Sequence, residues 1–118
     1  MEREEFLSIL GLAEVWSKPE DNNKERIILW DKECIVKEYS WMWGTIWKIY
    51  VKCGDITLSW RSNKGSRIEV KQYSPYEPAH YLIASTDELT EIVSIMSSNV
   101  AGWEDEVGIW CETHLEEW

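Results

Sequence analysis

WGTIWKIYVKCGDITLSWR, residues 43–61, alternates in character residue by residue on both sides of a Gly54-Asp55 pair. A period of two belongs to the β-strand, where neighbouring side chains point to opposite faces. The composition agrees, because β-branched and aromatic residues suit a pleated, half-buried surface. Gly-Asp between two such runs is a two-residue hairpin loop, since glycine supplies the positive φ that short hairpins need. The spacing therefore predicts antiparallel strands over 43–53 and 56–61. Trp43, Trp47, Ile49 and Val51 fall on one face with Ile56, Leu58 and Trp60 of the next strand, while Ile46, Lys48, Tyr50 and Lys52 fall on the other. Helices are expected on the apolar side, and the outer side should be partly basic.

The same alternation extends in both directions. Upstream, RIILW (26–30) and CIVKEY (34–39) flank a short turn, DKE. Downstream, SNKGS (62–66) turns the chain into RIEVKQY (67–73), and SPYEPA (74–79) is a loop because prolines withhold ladder donors. HYLIAS (80–85) is a sixth candidate strand. At the N-terminus Phe6, Ile9, Leu10, Ala13 and Trp16 have helical spacing, with Gly11 shortening or bending that helix. Near the other end Ser85 precedes Glu88 at capping-box spacing, and Leu89, Ile92, Val93 and Met96 continue as a helical stripe. The expected fold class is α+β: an N-terminal helix, an antiparallel meander of five to six strands, and two C-terminal helices packed on one face.

The chain's 118 residues suit one compact domain, 1–118, with a single core. No apolar run is long enough for a membrane span, and the acidic N-terminus does not read as a secretory signal, so a cytoplasmic protein is expected. Cys34, Cys53 and Cys111 are odd in number and scattered, which points to reduced, packed thiols.

Charge is distributed unevenly. Residues 1–71 hold all 12 Lys and Arg with 12 of the 22 acids, so the remaining 10 acids place the whole net charge of −10 in an acidic C-terminal third, 72–118. A field of one sign repels nucleic acid and anionic membranes, and attracts basic partners. The last stretch, GWEDEVGIWCETHLEEW, fits a helix: Trp103, Val107, Trp110, Cys111, His114, Leu115 and Trp118 form one stripe. Glu104, Asp105, Glu106, Glu112, Glu116 and Glu117 then make an acidic face, with the last two at the helix's negative end. Gly108 gives some weight to a competing strand over 107–113.

Two binding sites compete on these grounds. The first is the acidic face, with Trp103, Trp110 and Trp118 as anchors for a basic protein partner such as a nucleic-acid-binding effector or a nuclease. The protein would then be a non-enzymatic inhibitor that presents carboxylates where phosphates would sit. Anti-CRISPR and nuclease-immunity proteins of phages and mobile elements work this way, an analogy of size and charge alone. The second site is a pocket for a nucleotide-like ligand, walled by Trp41, Trp43, Trp47 and Trp60 and met by Lys48 and Arg61. A third use of the tryptophan stripe is homo-oligomerisation. A zinc grouping of Cys34, Cys53, Cys111 and His114 has poor spacing, and no phosphate-loop or nucleophile motif occurs. No cofactor, metal, catalysis or direct nucleic-acid binding is expected.

Overall fold

The structure is a computed structural model that describes residues 1–65 and 67–117. The elements run α1 (Arg3–Leu10), β1 (Asn23–Leu29), β2 (Lys32–Trp41), β3 (Ile46–Cys53), β4 (Ile56–Arg61), β5 (Ile68–Gln72), β6 (Ala79–Ile83), α2 (Thr86–Met96), α3 (Trp103–His114) and β7 (Glu116–Glu117). The strands pair in chain order and every neighbour is antiparallel. The α+β class and the meander are as the periodicity indicates, with β7 as a strand beyond the six.

Local chemistry explains the turns. Gly54 takes φ 57° between β3 and β4, and Cys53 pairs with Ile56 across the two-residue loop. The first hairpin is tighter than DKE suggests: Trp30 and Asp31 alone make the turn, both at positive φ, and Lys32 and Glu33 already belong to β2. A larger revision concerns residues 42–45. Met42, Trp43 and Gly44 all have positive φ, so a four-residue turn separates β2 from β3, and Trp41 faces Ile46 across it. Trp43 is therefore a turn residue and not part of the third strand.

That register has a covalent consequence. Cys34 lies directly opposite Cys53, their Cα atoms are 4.5 Å apart, and the two form a disulfide. Antiparallel partners in a non-hydrogen-bonded pair stand at about this separation, which lies within the range a disulfide spans. The expectation of three reduced thiols is thus corrected: only Cys111 is free, and it is buried.

The core lies between the inner sheet face and the helices. Cys34, Val36, Ile49, Val51, Leu58, Trp60, Val70 and Ile83 meet Phe6, Leu7, Leu10, Leu89, Ile92, Met96, Val107 and Cys111. α1 stops where Gly11 adopts φ 79°, its N–H returning to the carbonyls of Leu7 and Ser8. Leu12 and Trp16 enter the core from the turn that follows. Beneath α1 sits one buried ion pair: Arg3 Nε and Nη2 donate to the two oxygens of Glu38 at 2.9 and 3.0 Å, and Trp16 Nε1 donates to the same carboxylate at 2.9 Å. α2 carries the capping box, with Ser85 Oγ accepting from Glu88 N and Glu88 Oε1 accepting from Ala84 N.

α3 settles the reading of Gly108. The absent side chain lets the helix approach Gln72 of β5, whose Nε2 donates to Glu104 O at 3.2 Å, so this glycine serves helix-on-sheet contact instead of a strand. The helix does not run to 118, however. Leu115 is extended, and Glu116 and Glu117 pair with Leu82 and Tyr81 as β7. These two carboxylates therefore lie on a sheet edge and not at the helix's negative end.

Candidate functional site

On α3 the acidic residues divide. Glu104 turns inward, and its Oε2 accepts from Asp55 N at 2.6 Å, capping the β3–β4 loop. Asp105, Glu106 and Glu112 are exposed, as are Glu116 and Glu117 on β7. Glu104 is thus a structural residue; of the remaining acids, Glu117 turns to the helix side of the sheet edge with Tyr81, and Glu116 turns to the open face with Leu82. Among the described residues the ion pairs are Arg3–Glu38 and Arg26–Glu33, so none of the five exposed acids has a cationic partner. Ile109 stands among them, 62% exposed, where Asp105, Glu112, Gly108, Gln72 and Tyr81 line a groove between α3 and the sheet edge. Burial, and after it the charges of Glu112 and Glu117, raise the Tyr81 hydroxyl's pKa.

The tryptophans foreseen as anchors do not reach solvent in the way the stripe implied. Trp103 is half-buried with the Lys32 ammonium 5.0 Å from its ring centre, and Trp110 is half-buried and stacked on His114 at 4.5 Å. A helix stripe that meets a sheet is largely consumed by the core. Trp118 lies outside the described residues. Ile109, on the opposite side of the helix, is the exposed apolar residue that the sequence reading missed; its position between acids on the helical wheel was the available signal.

The tryptophan-walled pocket is not assembled. Trp60 and Trp47 sit on the core side of the sheet, where Trp60 Nε1 donates to Met1 O and Trp47 Nε1 to Gly44 O. Trp43 is 98% exposed at the tip of the β2–β3 turn. Only Trp41 lies on the outer face, because it pairs with Ile46 at the far end of β2. Even spacing failed here because the chain reverses between residues 41 and 47.

What occupies the outer face is a layer of cations and rings. The register places Lys24, Arg26, Lys37, Lys48, Lys52, Arg61 and Lys71 there, with Tyr39, Trp41 and Tyr50, against the acids Glu33, Glu69 and Glu116. Arg61 lies over Trp41, Lys48 over Tyr50 and Lys37 over Tyr39, at 4.3 to 5.2 Å from the ring centres. Burial and the hydrogen bond to Tyr50 raise the Tyr39 pKa. Lys48 and Arg61 are direct cross-strand partners, although three of the four tryptophans expected beside them are elsewhere.

Cys34 and Cys53 are bonded to one another, and Cys111 is buried while His114 is exposed, so the four residues weighed for zinc do not converge. Burial also pushes the Cys111 thiol up to about 12, away from the thiolate a nucleophile needs. No family model matches the chain, and no curated protein or solved structure does either. Among the described residues no helix is long and apolar enough to cross a membrane.

Proposed function

We propose that the protein is a non-enzymatic inhibitor or interaction protein that docks its acidic C-terminal face on a basic groove of a protein partner, such as a nucleic-acid-binding effector or a nuclease. The observation that carries this reading is the set of exposed carboxylates without an ion pair among the described residues: Asp105, Glu106 and Glu112 of α3 around the exposed side chain of Ile109, with Glu116 and Glu117 on the adjoining sheet edge. Carboxylates set encounter rate and register, and a central apolar anchor surrounded by polar groups is the usual anatomy of a binding hot spot. The partner's groove would be blocked to its own anionic ligand. A cytoplasmic setting goes with such a partner, although the Cys34–Cys53 bond points the other way, since structural disulfides persist in oxidising compartments.

The test reverses the five charges to lysine and leaves Glu104 in place, because Glu104 holds the Asp55 amide. Parent and variant, each shown by circular dichroism to be folded, are used as baits in a bacterial lysate. A basic protein retained by the parent alone, and released by DNA, is the expected result. Equal retention of the same proteins by both baits would end this reading.

A further inference from the structure

On the side of the sheet away from the helices, the open face carries a cavity with its own cations. Arg61, Lys64 and Arg67 surround a cavity of roughly 90 Å³ at the base of the β4–β5 turn, completed by Ser59 and Glu69 on the same sheet face and by Leu82 of β6. Arg61 is the last residue of β4 and Arg67 stands just before β5, so the turn returns one guanidinium to the neighbourhood of the other. Like charges in neighbouring strands repel. Among the described residues none of them forms an ion pair, even though Glu69 lines the same cavity.

Arg61 adds a second, independent sign. Its Nε is buried and has no hydrogen-bond partner among the described residues. A buried donor left unmade is costly, more so when it carries charge, so such groups are rare in folded proteins and call for an explanation. The guanidinium plane is held from the other side by the Trp41 ring at 5.1 Å, which fixes its orientation without using any of its five donors. This is an arginine positioned and not neutralised.

We infer that the Arg61–Lys64–Arg67 cavity is an anion site that takes the phosphate group of a small ligand. Guanidinium forks match phosphate oxygens in pairs, and three cations against one carboxylate favour a dianion over a monoanion. The hydroxyl of Ser59 and the carboxylate of Glu69 suit the hydroxyls of a phosphorylated sugar or nucleotide. The chain's net charge of −10 does not forbid this, because at physiological salt a charge is screened beyond about 8 Å and the cavity answers to its own lining. The inference is independent of the acidic-face reading, and either can fail alone.

The Arg61 Nε–H resonance gives a direct readout. ¹⁵N-labelled protein is titrated with inorganic phosphate, with adenosine monophosphate and with sodium acetate at matched ionic strength. Phosphate should shift the Arg61 Nε–H saturably and acetate much less. Lys64→Gln/Arg67→Gln, which alters two exposed side chains that form no ion pair among the described residues, should weaken phosphate binding about tenfold or more, as expected for losing charge-assisted hydrogen bonds. Tighter binding of adenosine monophosphate than of phosphate would assign the ligand as a nucleotide, and equal binding would confine the site to the phosphate group. An acetate shift as large as that of phosphate, no saturable shift at all, or undiminished binding in a folded double variant would each overturn the inference.

Discussion

At the scale of single residues, Glu38 is the most consequential side chain in the fold. It is fully buried, and it receives two hydrogen bonds from Arg3 and one from Trp16, while Arg3 also donates to the carbonyls of Trp16 and Ser17. Glu38→Ala removes one partner and leaves a guanidinium buried without its charge, so urea unfolding should show a loss of about 3–5 kcal/mol. Arg3→Met/Glu38→Leu should recover most of that loss, because a buried pair is weak evidence of net stabilisation. A cost under about 1 kcal/mol for Glu38→Ala would mean that water reaches the pair. Cys111 makes a different prediction. Its thiol should resist a thiol reagent in the native state, appear as one reactive thiol on denaturation, and be joined by two more after reduction. Burial raises its pKa from 9.0 to about 12 in the folded state, so its stabilising effect is complete below pH 9.0 and is lost as pH rises through about 12. Cys111→Ala should flatten that alkaline limb in a pH series of thermal melts, with Tyr39 and Tyr81 still acting in the same direction.

Among elements, legibility followed the turn chemistry. Gly54-Asp55 and the Ser85–Glu88 cap use residues whose conformational preference is strong, and both were read correctly from the sequence. Met42 and Trp43 are side chains that normally avoid positive φ, so nothing but Gly44 marked the reversal, and the second hairpin's register was lost with it. The disulfide and the fate of Trp41 and Trp47 followed from that one register, since Cys34 can be matched to Cys53 only once Trp41 is matched to Ile46. The acids of α3 were legible as a face, but the hydrogen bond from Asp55 to Glu104 depends on a tertiary approach that no local pattern encodes. Trp43 itself carries strain, because an L-residue in the left-handed region costs about 1–2 kcal/mol. Its ring is 98% exposed and contributes little packing in return. Trp43→Asn should therefore raise the free energy of unfolding by about 1 kcal/mol, asparagine being at ease at this φ. An unchanged or lowered urea midpoint would show that the turn conformation is not a source of strain.

Over the whole molecule the two layers carry opposite signs. The helices bear Glu4, Glu5, Asp87, Glu88, Glu91, Glu104, Asp105, Glu106 and Glu112, with Arg3 as their sole cation, and that one is buried. The sheet's open face bears seven cations against three acids. Net charge alone would describe the protein as repelled by every polyanion, and the layered arrangement says otherwise. At about 0.1 M salt the Debye length is about 10 Å, well short of the molecule's 29 Å thickness. A polyanion lying on the sheet then meets the local cations with the acidic helices largely screened, whereas at about 0.01 M, with screening over roughly 30 Å, it meets the field of the whole protein. Retention on immobilised heparin should consequently be stronger near 0.1 M than near 0.01 M, the reverse of the ordinary salt dependence of a uniformly basic protein. Lys37→Glu/Lys52→Glu should abolish that retention, because both residues are exposed on the open face. Flow-through of the parent protein at both salt concentrations would show that the face is too weakly cationic to act apart from the helices behind it.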